Sequence, residues 1–157
     1  MAQAQKQVRI IEPLERFVNR INLVGCYARV SSDSEDQLNS YNNQVDFYES
    51  YVNSLENSKL VKIYTDEGIT GTRMDKRDGF LQMIEDCRKG LINTIITKSI
   101  SRFARNITET LSVVRELKSI GVSVYFMTEK IDTAKMGSEM MLAVYAACAE
   151  IESKAIS

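Results

Sequence analysis

Six side chains carry the chemistry that this sequence suggests: Arg29, Ser31, Gln44, Arg77, Arg102 and Arg105. The closest pairing lies in Tyr27-Ala28-Arg29-Val30-Ser31-Ser32, where an apolar run breaks into polar residues. Leu23 to Val30 is dominated by β-branched and aromatic residues and is followed at once by turn formers, which predicts a buried strand. Side chains two apart on a strand point the same way, so a guanidinium and a hydroxyl emerge together where the strand ends. In open α/β sheets that carboxyl end is where ligands bind. The pair suits attack on a phosphate: the Arg binds the anion, and its charge lowers the cost of an oxyanion nucleophile. Alone, x-R-x-S is a weak pattern that an ordinary surface Arg and turn Ser also satisfy.

Other segments strengthen it. Lys98 to Arg105 follows a short strand predicted at Asn93 to Thr97, and in helical or turn geometry Arg102 and Arg105 lie side by side. A second cationic pair thus leaves a second strand end. Arg77 belongs to the polar, glycine-containing segment from Asp66 to Asp78, a loop of about 13 residues and long enough for a binding role. Gln44 sits beside the apolar stripe of a predicted helix and reaches back toward the Ser31 end. Several guanidiniums around one hydroxyl suit a trigonal-bipyramidal phosphoryl transition state, whose extra charge they stabilise. Removing one costs on the order of 3 kcal/mol, about a hundredfold in rate.

The elements that must position these groups follow from periodicity. Leu38, Tyr41, Val45, Tyr48, Val52 and Leu55 recur at spacings of three and four, which predicts an amphipathic helix packed on a sheet. Leu60 to Thr65 reads as a second strand. A short helix from about Gly79 to Lys89 buries Phe80, Ile84 and Cys87 and stops at Gly90. Asn106, with Glu109 three residues on, forms a helix N-cap and capping box, and Gly121 closes that helix after Ile107, Leu111, Val114 and Leu117. Val122 to Met127 is a fourth strand. Repeated strand–helix alternation predicts an α/β fold with a mostly parallel central sheet flanked by helices. Met140 to Ala149 runs without a charge, so the last helix, from about Gly137 to Ser157, is apolar nearly all round. Its surplus face either meets another subunit or is wholly buried in the core. No C-cap signal precedes Ser157, so the chain is expected to end within this long helix.

Composition narrows the function classes. The 157 residues suit one domain, and 44% hydrophobic with 26% charged residues is an ordinary globular composition. Residues 1–22 are polar and mixed in charge, hold the only proline, Pro13, and read as an N-terminal arm with a short strand at Gln7 to Ile11; residues 23–157 form the domain. No apolar stretch approaches a membrane span, and Met1 to Pro13 lacks the apolar region of a secretory signal. A cytoplasmic protein is therefore expected. Cys26, Cys87 and Cys148 lie far apart in apolar segments and read as reduced core residues. Histidine is absent, which removes Ser-His-Asp chemistry, His general bases and His-ligated zinc. No metal-binding carboxylate cluster or G-x-x-x-x-G-K-[ST] loop is present, so neither a cofactor nor a small-molecule substrate is expected. A net charge of −1 is unlike a self-sufficient duplex-binding protein.

Tyr27-Ala28-Arg29-Val30-Ser31, Asp66-Glu67-Gly68-Ile69-Thr70-Gly71, Lys76-Arg77 and Ser101-Arg102-Phe103-Ala104-Arg105-Asn106 resemble, in order and spacing, the motifs of the serine recombinase (resolvase/invertase) catalytic domain. The Ser-Arg-Phe-Ala-Arg form and Gln37-Leu38-Asn39-Ser40-Tyr41 resemble the large serine recombinases of phage integrases and conjugative transposons. The resemblance implies a resolvase-like three-layer fold with a long C-terminal helix used for oligomerisation. It implies that Ser31 attacks a DNA phosphodiester, forming a 5′-phosphoserine link and releasing a 3′-hydroxyl, and that strands rejoin without ATP. Arg29, Arg77, Arg102 and Arg105 would hold the phosphate, with Gln44 helping to position it. The implied partners are double-stranded DNA target sites and copies of the same chain, as a homodimer or homotetramer, with the DNA-reading domains of large family members absent. One departure stands out: small resolvases carry an Asp where Ser101 stands. Two other readings are a non-catalytic α/β regulatory or dimerisation module, which leaves the arginines unexplained, and a serine transposase, whose DNA-binding unit the short arm cannot hold.

Overall fold

The computed structural model describes residues 20–31, 36–68, 77–135 and 137–156. The expected N-terminal arm, with Pro13 and the strand at Gln7 to Ile11, falls almost wholly outside these residues, as does most of the loop after Gly68.

Four strands run parallel: β1 (Asn22–Ser31), β2 (Ser58–Gly68), β3 (Thr94–Thr97) and β4 (Ser123–Phe126), in the order β2-β1-β3-β4. A fifth, β5 (Ile131–Asp132), pairs antiparallel with β4 at the edge. Two residues carry no periodic signal, so β5 is absent from the elements expected of the sequence. Strand β2 runs past the predicted end at Thr65, because its ladder with β1 continues through Arg29↔Asp66 to Ser31↔Gly68.

The chain steps from β1 outward to β2 and then back across to β3. Right-handed crossovers in opposite directions must use opposite faces of the sheet. Accordingly α1 (Asp36–Ser54) covers one face, while α2 (Asp78–Arg88), α4 (Ile107–Ser119) and the start of α5 (Ser138–Ile156) cover the other. The three layers are those expected. A one-turn helix, α3 (Ile100–Phe103), links β3 to α4.

On the α2/α4 face Tyr27, Phe80, Phe103 and Phe126 form a chain of edge-to-face rings with centroids 5.2 to 5.4 Å apart. Each such pair adds roughly 1 kcal/mol beyond its burial. On the α1 face Val24, Cys26, Ala28 and Ile96 pack against Tyr48 and Val52. Cys26 and Cys87 are buried, and burial pushes both thiols from 9.0 up to about 12. They are the inert core residues expected of them; the Cys148 side chain lies outside the described residues.

Helix ends follow the sequence signals closely. Gly90 and Gly121 take φ of +75° and +81°, which only glycine adopts without strain, and close α2 and α4. The Asn106 side chain accepts the Glu109 amide at 2.8 Å. The Glu109 carboxylate returns the bond to the Arg105 amide, also at 2.8 Å, one residue earlier than a capping box predicts.

One expectation of burial is corrected, and one of the two alternatives for the last helix is removed. In α1 Tyr48 and Val52 are buried, but Tyr41 is 37% exposed. The register supplies the reason: β3 and β4 end at Thr97 and Phe126, level with Tyr27, while β1 runs on to Ser31. The first half of α1 therefore overhangs the carboxyl end of the sheet with no strand of β3 or β4 beneath it. The reading of the last helix as a buried core element also fails. Leu142 is fully buried, yet Met140, Val144 and Tyr145 are 43% to 74% exposed.

Candidate active site

The overhang makes a cleft. Its floor is the end of β1, whose edge toward β3 is open beyond Tyr27; its walls are the first half of α1 and the segments after β3 and β4. This is the crevice between β1 and β3, where the direction of strand addition reverses and ligands of open α/β sheets bind. Its volume is about 690 Å3.

Arg29, Gln44 and Arg102 line this cleft together. Lys98, one residue past β3, adds a third cation. Among the described residues no Asp or Glu lines the cleft, so those residues concentrate positive charge there in a chain whose net charge is −1. Low-dielectric walls around charges of one sign focus that field on an incoming anion. Gln44 donates weakly to the Ser40 hydroxyl at 3.4 Å from the helix wall. Ser31 is the last residue of β1, two beyond Arg29, so the strand alternation predicted for the pair is present in the backbone. The Ser31 side chain lies outside the described residues.

Two tyrosines shape the floor. The Tyr48 hydroxyl, on α1, donates to the Tyr27 carbonyl oxygen at 3.2 Å, as does the Thr97 hydroxyl. Burial pushes the Tyr48 hydroxyl well above its ordinary pKa, against smaller pulls from the Lys98 backbone and the Arg102 charge. It therefore stays a proton donor and pins α1 to β1 just before Arg29. The Tyr27 ring itself turns to the other face, where burial raises its pKa to about 12.

The other two arginines are elsewhere. Arg77 is buried on the α2/α4 face, its guanidinium stacked on the Phe80 ring at 3.9 Å. It donates to the Phe103 carbonyl oxygen, to Glu109 at 3.4 Å and to the Tyr27 hydroxyl at 3.5 Å, while its Nε has no hydrogen-bond partner. In this conformation it is a strut between α2 and the α3–α4 turn. Arg102 and Arg105 are not side by side on one helical turn. Helix α3 stops at Phe103, and Ala104 is extended at φ −139°, so Arg105 leaves on a new course and does not line the cleft.

Sequence reasoning missed three contributors. Lys98 had a signal in its place at a strand end. Asp66 accepts the Tyr27 hydroxyl at 2.9 Å and the Gly79 and Phe80 amides at 2.7 and 2.8 Å, so it caps the start of α2 and anchors it to β1. A Cβ on Gly79 would stand 2.4 Å from the Thr65 carbonyl oxygen, so only glycine permits this approach. Glu129, on the β4–β5 turn, accepts the Ile100 amide through both oxygens at 3.2 and 3.3 Å and fixes α3 beneath Arg102. Asp66 stood in the Asp66–Gly71 motif with no capping role assigned to it, and no signal marked Glu129. Ser101 is exposed and shares a hydrogen bond with Ser99 at 3.0 Å. Among the described residues no group of three or more Cys, Asp and Glu could hold a metal ion, and no helix is long and apolar enough to cross a membrane.

Known proteins resemble this chain in sequence and in fold. Residues 24–157 match the family described as Resolvase, N terminal domain. The chain is 31% identical over 138 residues to the Transposon Tn552 resolvase of Staphylococcus aureus, across 83% of this chain and 59% of that protein. It thus spans about three fifths of that relative's length. Among solved structures, the N-terminal catalytic domain of TP901-1 integrase shares the fold, with a TM-score of 0.63 and 24% identity over 85% of this chain and 98% of that one. A resolvase family site-specific recombinase from Streptococcus pneumoniae is similar at a TM-score of 0.59 and 26% identity, over 85% and 90% of the two chains.

Proposed function

Because this chain belongs to the resolvase N-terminal domain family, we propose that it cleaves and rejoins DNA at specific sites, with Ser31 as the nucleophile. The observation that carries the reading is the cleft in which Arg29, Lys98 and Arg102 converge beside Gln44, with no carboxylate among the described lining residues, at the strand end that Ser31 closes.

The Ser31 oxygen attacks the phosphorus of a DNA phosphodiester as its proton departs. A Ser–O–P bond forms at the 5′ side, and the bond to the 3′ oxygen breaks. That oxygen takes up a proton and leaves as a hydroxyl. One ester replaces another, so the reverse attack by a 3′-hydroxyl reseals the strand without an added energy source. Arg29, Lys98 and Arg102 offset the charge that grows on the phosphoryl oxygens, and their fixed placement makes that stabilisation larger than water would give. Gln44 orients the phosphate from α1. Arg77 and Arg105 join this set only when their segments move toward the cleft.

The partners in this reading are duplex DNA sites and further copies of the chain, which meet through the exposed apolar residues of α5 as a dimer or tetramer. The setting is the cytoplasm of a bacterium, the chain being encoded by a phage or transposon, in line with the mobile-element names among its relatives. A non-catalytic regulatory module would leave the cleft's three cations without a purpose.

The test is direct. The protein is mixed with nicked target-site DNA, digested and searched for a DNA-linked peptide by mass spectrometry. A phosphoserine adduct at Ser31, lost in Ser31→Ala, is expected; DNA binding without an adduct on any residue would sink the proposal.

A further inference from the structure

The cleft is larger than its chemistry requires. Its volume of about 690 Å3 falls within the roughly 300–1,000 Å3 of sites that enclose whole organic ligands, and a phosphate fills only a small part of that. One wall of the cleft is α1. There Asn39, Asn43 and Phe47 line the wall at successive intervals of four, which stacks them in one column on the helix.

Phe47 is the unusual member. It is 52% exposed, although an aromatic ring in water forfeits its apolar burial. It is also held in place: its ring lies parallel to Tyr51 at 6.2 Å between centroids and edge-on to Tyr48 at 5.7 Å. Tyr48 in turn is pinned to the Tyr27 carbonyl oxygen. An exposed ring fixed by two others presents a flat surface at little entropic cost. Asn43 and Asn39, one and two helical turns before it, add amides that offer both donors and acceptors.

We propose that Asn39, Asn43 and Phe47 form a seat for one nucleobase adjacent to the scissile phosphate, with Phe47 as the stacking surface and the amides reading the base edge. The inference rests on the reading that the cleft's cations hold a DNA phosphodiester. It adds that the neighbouring base leaves the duplex stack when the strand is cut. Unstacking costs least at an end or a break, and base–aromatic stacking repays it whatever the base. Amides paired with adenine's N6 and N7 would add a preference for that base.

Two measurements test this. In the first, the intact chain is given nicked sites in which each of the two nucleotides flanking the scissile phosphate is replaced in turn by an abasic sugar, and Ser31 adduct formation is timed. One of the two replacements should slow the wild-type protein about tenfold, the scale of one lost stacking contact. Phe47→Ala should slow the unmodified site by the same factor and show no further loss on the abasic site. Indifference to both abasic sugars, or losses that multiply, would overturn the seat while leaving Ser31 chemistry intact. In the second, the chain with 13C-labelled phenylalanine is titrated with thymidylyl-thymidine and, separately, with inorganic phosphate. A saturable upfield shift of the Phe47 ring with the dinucleotide alone supports the seat; no shift, or the same shift with phosphate, overturns it. The adduct result governs wherever an adduct forms. Where the wild type forms none, the recombinase reading falls, and the titration alone decides the seat.

Discussion

The Tyr27 hydroxyl donates to the Asp66 carboxylate at 2.9 Å, tying the strand that leads to Ser31 to the cap of α2. Three donors converge on that one carboxylate. Removing it leaves a buried hydroxyl and two helix-start amides without their acceptor. Asp66→Ala should therefore lower unfolding free energy by about 3 kcal/mol, and Tyr27→Phe by about 1 kcal/mol. Urea denaturation followed by circular dichroism gives both values; a loss in Asp66→Ala no larger than in Tyr27→Phe would show that the cap is dispensable.

Arg102 and Arg77 should separate when each is changed. Arg102 is exposed in the cleft, so Arg102→Ala should leave the melting temperature within a degree or two while slowing strand cleavage about a hundredfold, roughly 3 kcal/mol of transition-state stabilisation. Arg77 is buried as a strut, so Arg77→Ala should cost stability by about 2 kcal/mol, through the acceptors it deserts on Phe103 and Glu109. Paired thermal melts and single-turnover cleavage assays make the comparison. Equal stability losses in the two variants would contradict the placement of Arg77.

Alkali should weaken the fold in part through Cys26. In the unfolded chain its thiol ionises near 9.0, whereas burial in the folded chain holds it to about 12. The folded state thus binds the proton more tightly. This contribution is complete below pH 9 and declines as pH rises toward 12; at pH 10 it has fallen by on the order of 1 kcal/mol. Cys87, Tyr27 and Tyr48 act in the same direction, so Cys26→Ala should flatten the fall between pH 8 and 10 without abolishing it. Guanidinium titrations at the two pH values measure the slope; an unchanged slope would mean that Cys26 ionises as readily folded as unfolded.

Self-association should depend on α5. Val144 is 57% exposed beside Tyr145 on a helix whose one fully buried apolar side chain, among those described, is Leu142. A lysine there places a charge on any apolar contact between copies but disturbs no intramolecular packing. Val144→Lys should shift sedimentation toward the monomer, with the melting temperature of the dilute protein unchanged. Identical sedimentation of the variant and the parent would move the interface elsewhere.

Most of the sheet and its helices could be read from the chain, because β1 carries an apolar run ended by turn formers, α2 an apolar period and a closing glycine, and α4 a period, a cap and a closing glycine. The Arg29–Gln44–Arg102 side of the site was also legible, since strand ends and helix starts imply where their residues point. What periodicity could not convey was relative length. That β3 and β4 stop level with Tyr27 while β1 continues is a matter of register between strands distant in sequence. That mismatch opens the cleft and exposes Tyr41, which the helical pattern alone assigns to the buried stripe. The course of Arg105 was hidden for a related reason. A single extended residue, Ala104, breaks the turn, and alanine gives no warning of it.

The central strand also dictates the order in which the molecule can be made. The Leu23 amide is held by the Asn93 side chain, 70 residues further on, and β1 cannot gain its second neighbour until that stretch has been synthesised. Contacts of such separation form late, after the loop between them has been closed. The cleft draws one wall from α1 and another from the segment after β3, so it is among the last features to take shape on the ribosome. A nascent chain bearing Arg29 and Ser31 therefore has no assembled cleft until Arg102 has followed them out of the ribosome.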